Sequence, residues 1–186
     1  MERWRPGGRG ETARWAPARP GPSIPNSPCA KGLANLVPIA AAESGAAALF
    51  RDGKVFAWGR RDGGVIGDSH YSTRQLASGE PALEPVRVPG VSGILQIATG
   101  SSHVLALTGD GRVITWGSNC YGAQGRAPRR GRPMDVPGEV PGLTGVIAVA
   151  GGNGVSTVLR KDGTVWVWGR TGTPISVTET GRAHRV

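Results

Sequence analysis

The stretch from Leu107 to Gly117 reads LTGDGRVITWG. Two short apolar runs flank an Asp-Gly pair, and the second run closes on Trp-Gly. Nearly the same pattern occurs twice more, as LFRDGKVFAWG from Leu49 to Gly59 and as LRKDGTVWVWG from Leu159 to Gly169. All three copies fit Leu-x-x-Asp-Gly-x-Val-x-x-Trp-Gly, and four of the chain's six Trp residues fall inside them. The spacing is 58 residues from Trp58 to Trp116 and 52 from Trp116 to Trp168. A period of that length suits a whole supersecondary unit such as a propeller blade, not a short solenoid rung.

The likeness between copies extends upstream. PGVSGILQIATG, from Pro89 to Gly100, aligns without gaps with PGLTGVIAVAGG, from Pro141 to Gly152, and GLANLVPIAAA at Gly32 to Ala42 is a weaker relative. Each unit therefore reads as a strand, a small-residue turn, a second strand, the Asp-Gly turn, and a third strand ending in Trp-Gly. The runs are rich in Val, Ile, Leu and Thr and bounded by Gly or Pro, the signature of strands. The Ala-rich stretch from Ile39 to Phe50 favours helix by propensity, but its alignment with two β-rich copies assigns it to strands. The Asp-Gly pair suits a tight hairpin, because Gly takes positive φ without steric cost and Asp tolerates it. The Asp side chain can also accept bonds from nearby backbone N–H groups. Leu and Val stand three residues to either side of the Asp and can point into one core. Residues shared by all copies build the units and carry no chemistry.

The core pattern followed by WGSNCYGAQG, from Trp116 to Gly125, resembles the regulator-of-chromosome-condensation repeat. The second copy matches that family at Gly100, His103, Asp110, Gly111, Trp116, Gly117, Asn119, Gly122 and Gly125. The first copy has Gly45 at the His position and Arg61 at the Asn position, while Gly64 and Gly67 fit. The third has Val155 at the His position and loses the downstream Gly segment in GRTGTPISV. The resemblance implies an all-β fold, a partial β-propeller of about three blades. The units are expected over about 32–88, 89–140 and 141–175. A disordered Arg/Pro/Gly-rich tail is expected over 1–31 and a C-terminal tail over 176–186. Propellers close with four or more blades, so three units leave two apolar sheet faces without a neighbour. The chain is then a fragment, an oligomer that completes a ring, or an open wedge.

The chain carries 22 Lys and Arg against 13 Asp and Glu, a net charge of +9. The tail has six basic and two acidic side chains and no strand or helix period. Basic charge of this kind attracts nucleic acid, and Trp4 and Trp15 could stack on bases. The charge is spread evenly rather than clustered, however, so nucleic acid ranks below a protein partner. A second basic stretch, GRAPRRGRP from Gly125 to Pro133, places Arg126, Arg129, Arg130 and Arg132 in the long connection between the second and third units. These four form the candidate partner-binding site. A solvated loop is the simpler reading of the same charges.

Catalytic and metal signals are thin. Ser101, Ser102, His103 and Asp110 offer the residue types of a triad, but Asp110 is the turn residue of every copy, including two without the His. Cys29 and Cys120 lack metal-ligand spacing, His70, His103 and His184 form no cluster, and no phosphate-binding loop occurs. No catalytic residue, cofactor or metal is expected. Neither a secretory leader nor an apolar run long enough for a membrane helix is present, which leads to the expectation of a soluble, cytoplasmic protein, with the nucleus also open. The function expected is non-enzymatic protein interaction through propeller loops, with self-association or another repeat protein among the partners. The resemblance implies one alternative, guanine-nucleotide exchange on a small GTPase; a truncated piece of a larger propeller protein is another.

Overall fold

The computed structural model describes residues 36–43, 45–61, 63–68, 81–127 and 135–170, together with the backbone of residues 184–185. These form three four-stranded antiparallel sheets, each built from consecutive strands. The first holds β1 (Leu36–Ala41), β2 (Gly45–Phe50), β3 (Val55–Gly59) and β4 (Ala82–Arg87). The second holds β5 (Ile94–Thr99), β6 (His103–Thr108), β7 (Val113–Gly117) and β8 (Gly138–Glu139). The third holds β9 (Val146–Gly151), β10 (Val155–Arg160), β11 (Val165–Gly169) and β12 (His184–Arg185). The Ala-rich stretch is strand, as its alignment requires: packing between sheets overrides the helix preference of Ala.

The middle hairpin of each sheet is the repeated motif. Leu49 pairs with Val55, Leu107 with Val113 and Leu159 with Val165, each pair flanking its Asp-Gly turn. Gly53, Gly111 and Gly163 all take positive φ, between +75° and +78°. The turn Asp works as anticipated in two copies, where Oδ1 of Asp52 and Asp162 accepts the N–H of Lys54 and Thr164. In the middle copy the Thr108 hydroxyl accepts the Arg112 N–H instead, and itself donates to Asp110.

The fourth strands were not legible in the repeat. β4 and β8 share a short Pro-x-x-Val-Pro-Gly pattern, Pro85 to Gly90 and Pro137 to Gly142, that the repeat reading did not use, and β12 lies inside 176–186, the segment read as a tail. They are placed by backbone pairing on the outer edge of β3, β7 and β11, and such pairing needs only free N–H and C=O groups. The N-terminal tail, with Trp4, Trp15 and Cys29, lies outside the described residues.

The sheets stack as propeller blades, with a core in each seam. Between the first and second lie Leu49, Val55, Ile94, Ile97, Val104 and Trp116; between the second and third lie Leu105, Leu107, Val113, Val149, Val158 and Trp168. Strand order puts the β1–β2, β5–β6 and β9–β10 turns on one face, together with the long β3–β4 and β7–β8 connections. The Asp-Gly turns and inter-blade links occupy the opposite face. There each turn receives the start of the next blade: Ile94 N–H donates to Gly53 O at 3.2 Å and Val146 N–H to Gly111 O at 2.9 Å. Among the described residues no helix is long and apolar enough to cross a membrane.

Candidate functional site

The chemistry-bearing side chains gather at the seam between the second and third blades. Trp168 is fully buried, and its indole N–H donates to the carbonyl of Ala123 at 2.8 Å. Trp116 repeats this one blade earlier, donating to Val65 O at 2.8 Å. Ala123 and Val65 both lie in the Gly segment that follows the preceding blade's Trp-Gly. The indole rests on that segment: a Cβ on Gly125 would stand 2.7 Å from Trp168 Nε1. Each Trp is thus a latch into the blade before it. The neighbouring Gly117 has φ +100°, and a Cβ there would stand 2.6 Å from Ser102 O, so the chain leaves the strand where a side chain does not fit.

His103 joins the same network. Its ring is 1% exposed, with Nε2 at 2.9 Å from Ser156 Oγ. Ser156 Oγ in turn donates to Ala123 O at 2.7 Å. With that hydroxyl proton committed to Ala123, Nε2 of His103 is the donor and carries the ring proton. Ala123 O then accepts from both Ser156 and Trp168. Burial pushes the His103 pKa down to about 4, because a charged imidazolium loses its hydration there.

The triad geometry is not assembled. His103 stands at the start of β6 and bonds to Ser156, whereas Asp110 sits beyond the other end of that strand on the opposite face. Asp110 is instead tied to Arg112, whose Nε donates at 2.7 Å, and to Thr108; these bonds hold its carboxyl down to about 2. Among the described residues no group of three His, Cys, Asp or Glu side chains is placed to hold a metal ion. Cys120 is an exposed thiol.

Of the four candidate partner-binding arginines, Arg126 is described and is half-buried. Its guanidinium donates to Val136 O at 2.6 Å and to Thr115 O at 3.3 Å, across the base of the β7–β8 connection. It also fills the space beside Gly138, where a Cβ would stand 2.8 Å from Nη1. Arg129, Arg130 and Arg132 lie outside the described residues.

The connection starts from a network that its sequence only half revealed. Asn119 Oδ1 accepts the N–H of Gln124 at 2.9 Å, and Thr115 Oγ1 donates to Gln124 O at 2.8 Å. Asn119 was legible as part of the Gly-x-Asn pattern; Ser156 carries no signal, because its partners His103 and Ala123 lie in another blade. Tyr121 was also missed. It takes φ +60°, is exposed, and has the Arg170 guanidinium 5.1 Å from its ring centroid.

These features define a repeat protein of the β-propeller class, whose second and third Trp-Gly pairs latch blade to blade. Models of the regulator of chromosome condensation (RCC1) repeat match residues 52–107 and 110–159, and a second model of that repeat matches 94–123. The chain belongs to this family. It is 32% identical over 158 residues to the RCC1 domain-containing protein RUG3, mitochondrial, of Arabidopsis thaliana, covering 80% of this chain and 32% of the relative. Among solved structures it resembles human WBSCR16, with a TM-score of 0.65 at 23% identity, over 81% of this chain and 37% of that one. It also resembles Prp20p of Saccharomyces cerevisiae, with a TM-score of 0.62 at 24% identity, over 81% and 38%. The chain therefore spans about a third of the length of these proteins.

Proposed function

We propose that the chain is a non-enzymatic protein-interaction module that takes an acidic protein surface on the face bearing the long connections. The observation that carries this reading is the β7–β8 connection itself. Its base is fixed by Arg126, and the stretch so held contains Arg129, Arg130 and Arg132. A basic loop mounted on a rigid scaffold suits recognition of a charge-complementary partner. The family supports it further, since Prp20p has binding properties to Gsp1p and histones. Exchange on a small GTPase is the second reading, implied by the resemblance to the family. The proposed compartment is the cytoplasm; the Arabidopsis relative carries a mitochondrial name.

The test is quantitative co-purification from cells with the full chain and with a variant carrying Arg129→Glu, Arg130→Glu and Arg132→Glu. Partners retained by the parent and lost by the variant, with loss increasing at higher salt, are the expected result. Identical partner sets would overturn the reading. Nucleotide release from a panel of small GTPases, unchanged by the chain, separates it from the exchange reading.

A further inference from the structure

We propose that Tyr121 and Arg170 form an anchor for an acidic peptide segment of a protein partner, Arg170 taking a carboxylate and the Tyr121 ring taking an adjacent apolar side chain. This rests on the reading of the connection-bearing face as a surface for an acidic partner, and it puts the decisive contact outside the Arg loop.

Tyr121 holds a strained backbone position. Among the described residues it is the only non-glycine with positive φ, at +60°. That conformation is unfavourable for a bulky side chain and free for glycine. The equivalent residue of the first blade, at the same offset from its Trp-Gly, is Gly63. The second blade keeps a strained ring where the first has glycine, and the ring is 64% exposed, so core packing does not offset the strain. Strain that persists in this way clusters at binding and catalytic sites.

The residues around the ring differ between the two seams in step with it. The Arg170 N–H donates to Gly154 O at 2.7 Å, and at the equivalent place one blade earlier the Ser118 N–H donates to Ser102 O, also at 2.7 Å. The same backbone bond is therefore made with Gly63, Ser102 and Ser118 at the first seam and with Tyr121, Gly154 and Arg170 at the second. Gly154 makes the room: a Cβ there would stand 3.2 Å from Tyr121 Cδ2 and 3.4 Å from Arg170 Cβ. The Arg170 guanidinium carbon lies over the ring, 5.1 Å from its centroid. Blade packing requires neither the Tyr nor the Arg side chain, since the first seam joins without them.

The chemistry of the pair selects its occupant. The cation–π contact orients the guanidinium and leaves its N–H donors unspent. Among the described residues no carboxylate pairs with Arg170, which is exposed. An oriented guanidinium fork matches a carboxylate with two parallel bonds, and Tyr and Arg are the side chains enriched at the energetic centres of protein interfaces. The Arg-rich stretch from Gly125 to Pro133 begins a few residues beyond Tyr121, in a chain of net charge +9. That field draws an acidic segment to the same face. A nucleic-acid base fits less well, because the guanidinium already lies over the ring face on which it would stack.

The experiment is fluorescence anisotropy of the full chain at low salt with two labelled peptides of equal charge, Glu-Glu-Glu-Leu-Glu-Glu-Glu and Glu-Glu-Glu-Ser-Glu-Glu-Glu. The chain is expected to bind the Leu peptide about threefold more tightly, the effect of partly burying one Leu side chain. Tyr121→Gly is expected to abolish this preference and keep most of the affinity for the Ser peptide. Its melting midpoint is expected to be no lower than the parent's, because glycine relieves the strain. Tyr121→Phe keeps the preference. Arg170→Gln is expected to weaken both peptides, and Arg170→Lys to restore them in part. In the variant carrying Arg129→Glu, Arg130→Glu and Arg132→Glu, affinity for both peptides is expected to fall with the preference intact; unchanged affinity there contradicts the loop reading alone. No binding, equal binding of the two peptides by the parent, or a preference that survives Tyr121→Gly would each overturn the proposal. So would tighter binding of a labelled thymidine oligonucleotide that Tyr121→Gly removes, which assigns the pair to single-stranded nucleic acid.

Discussion

Ser156 of the third blade and Trp168 of the same blade donate to one acceptor, the carbonyl of Ala123 in the second blade, at 2.7 and 2.8 Å. A carbonyl oxygen has two lone pairs, and both are used across the seam. Removing one donor in the buried seam leaves the acceptor half-satisfied. Trp168→Phe keeps most of the ring but deletes the N–H, and is expected to destabilise by about 1–3 kcal/mol in a denaturant melt. Trp58→Phe is the control. Among the described residues its indole has no hydrogen-bond partner, and its melt is expected to match the parent.

The buried His103 makes stability depend on pH. Its folded pKa of about 4 lies below the ordinary value of 6.5. Between those values the unfolded chain binds a proton that the folded chain does not, so stability falls as pH drops through that window and is intact above it. The ceiling on this loss is on the order of 3 kcal/mol. Asp110, at about 2, titrates below the window. His103→Gln is expected to flatten the pH dependence of the melting midpoint between pH 6.5 and 4; an unchanged slope would assign it to other groups.

The turn glycines differ in what lies beside them. Gly111→Val forces a β-branched residue into positive φ and against Val146, and is expected to cost about 1–3 kcal/mol. Gly163→Val carries the same backbone penalty without the contact, so its cost is expected to be smaller in the same equilibrium melt.

Arg126 and the three arginines beyond it should separate. Arg126→Ala removes donors from two carbonyls and is expected to destabilise by about 1–2 kcal/mol. Arg129→Ala, Arg130→Ala and Arg132→Ala are expected to leave the melt unchanged and to weaken partner retention. Equal effects of all four on both readouts would count against the division.

The sequence was legible where structure is local. The Asp-Gly hairpins and the Leu–Val pairs flanking them depend on residues within a dozen positions of one another, and the structure places them as read. The latches were half legible. The repeated Trp-Gly pointed to a packing role, but its acceptors, Val65 and Ala123, are identified by a backbone carbonyl, which any residue supplies. The same reason hid the fourth strands, and it hid Ser156, which meets His103 from 53 positions away. The triad residue types were discounted in the sequence because Asp110 is the turn residue of every copy, and strand β6 carries His103 and Asp110 to opposite faces.

The central claim is that Trp116 and Trp168 lock blade to blade. Indole N–H hydrogen exchange, followed by NMR on the full chain, tests it most directly. Trp116 and Trp168 are expected to exchange slowly and together, at the rate of global unfolding, while Trp58 exchanges fast. Fast exchange at Trp116 and Trp168, comparable with that of Trp58, would contradict the latch.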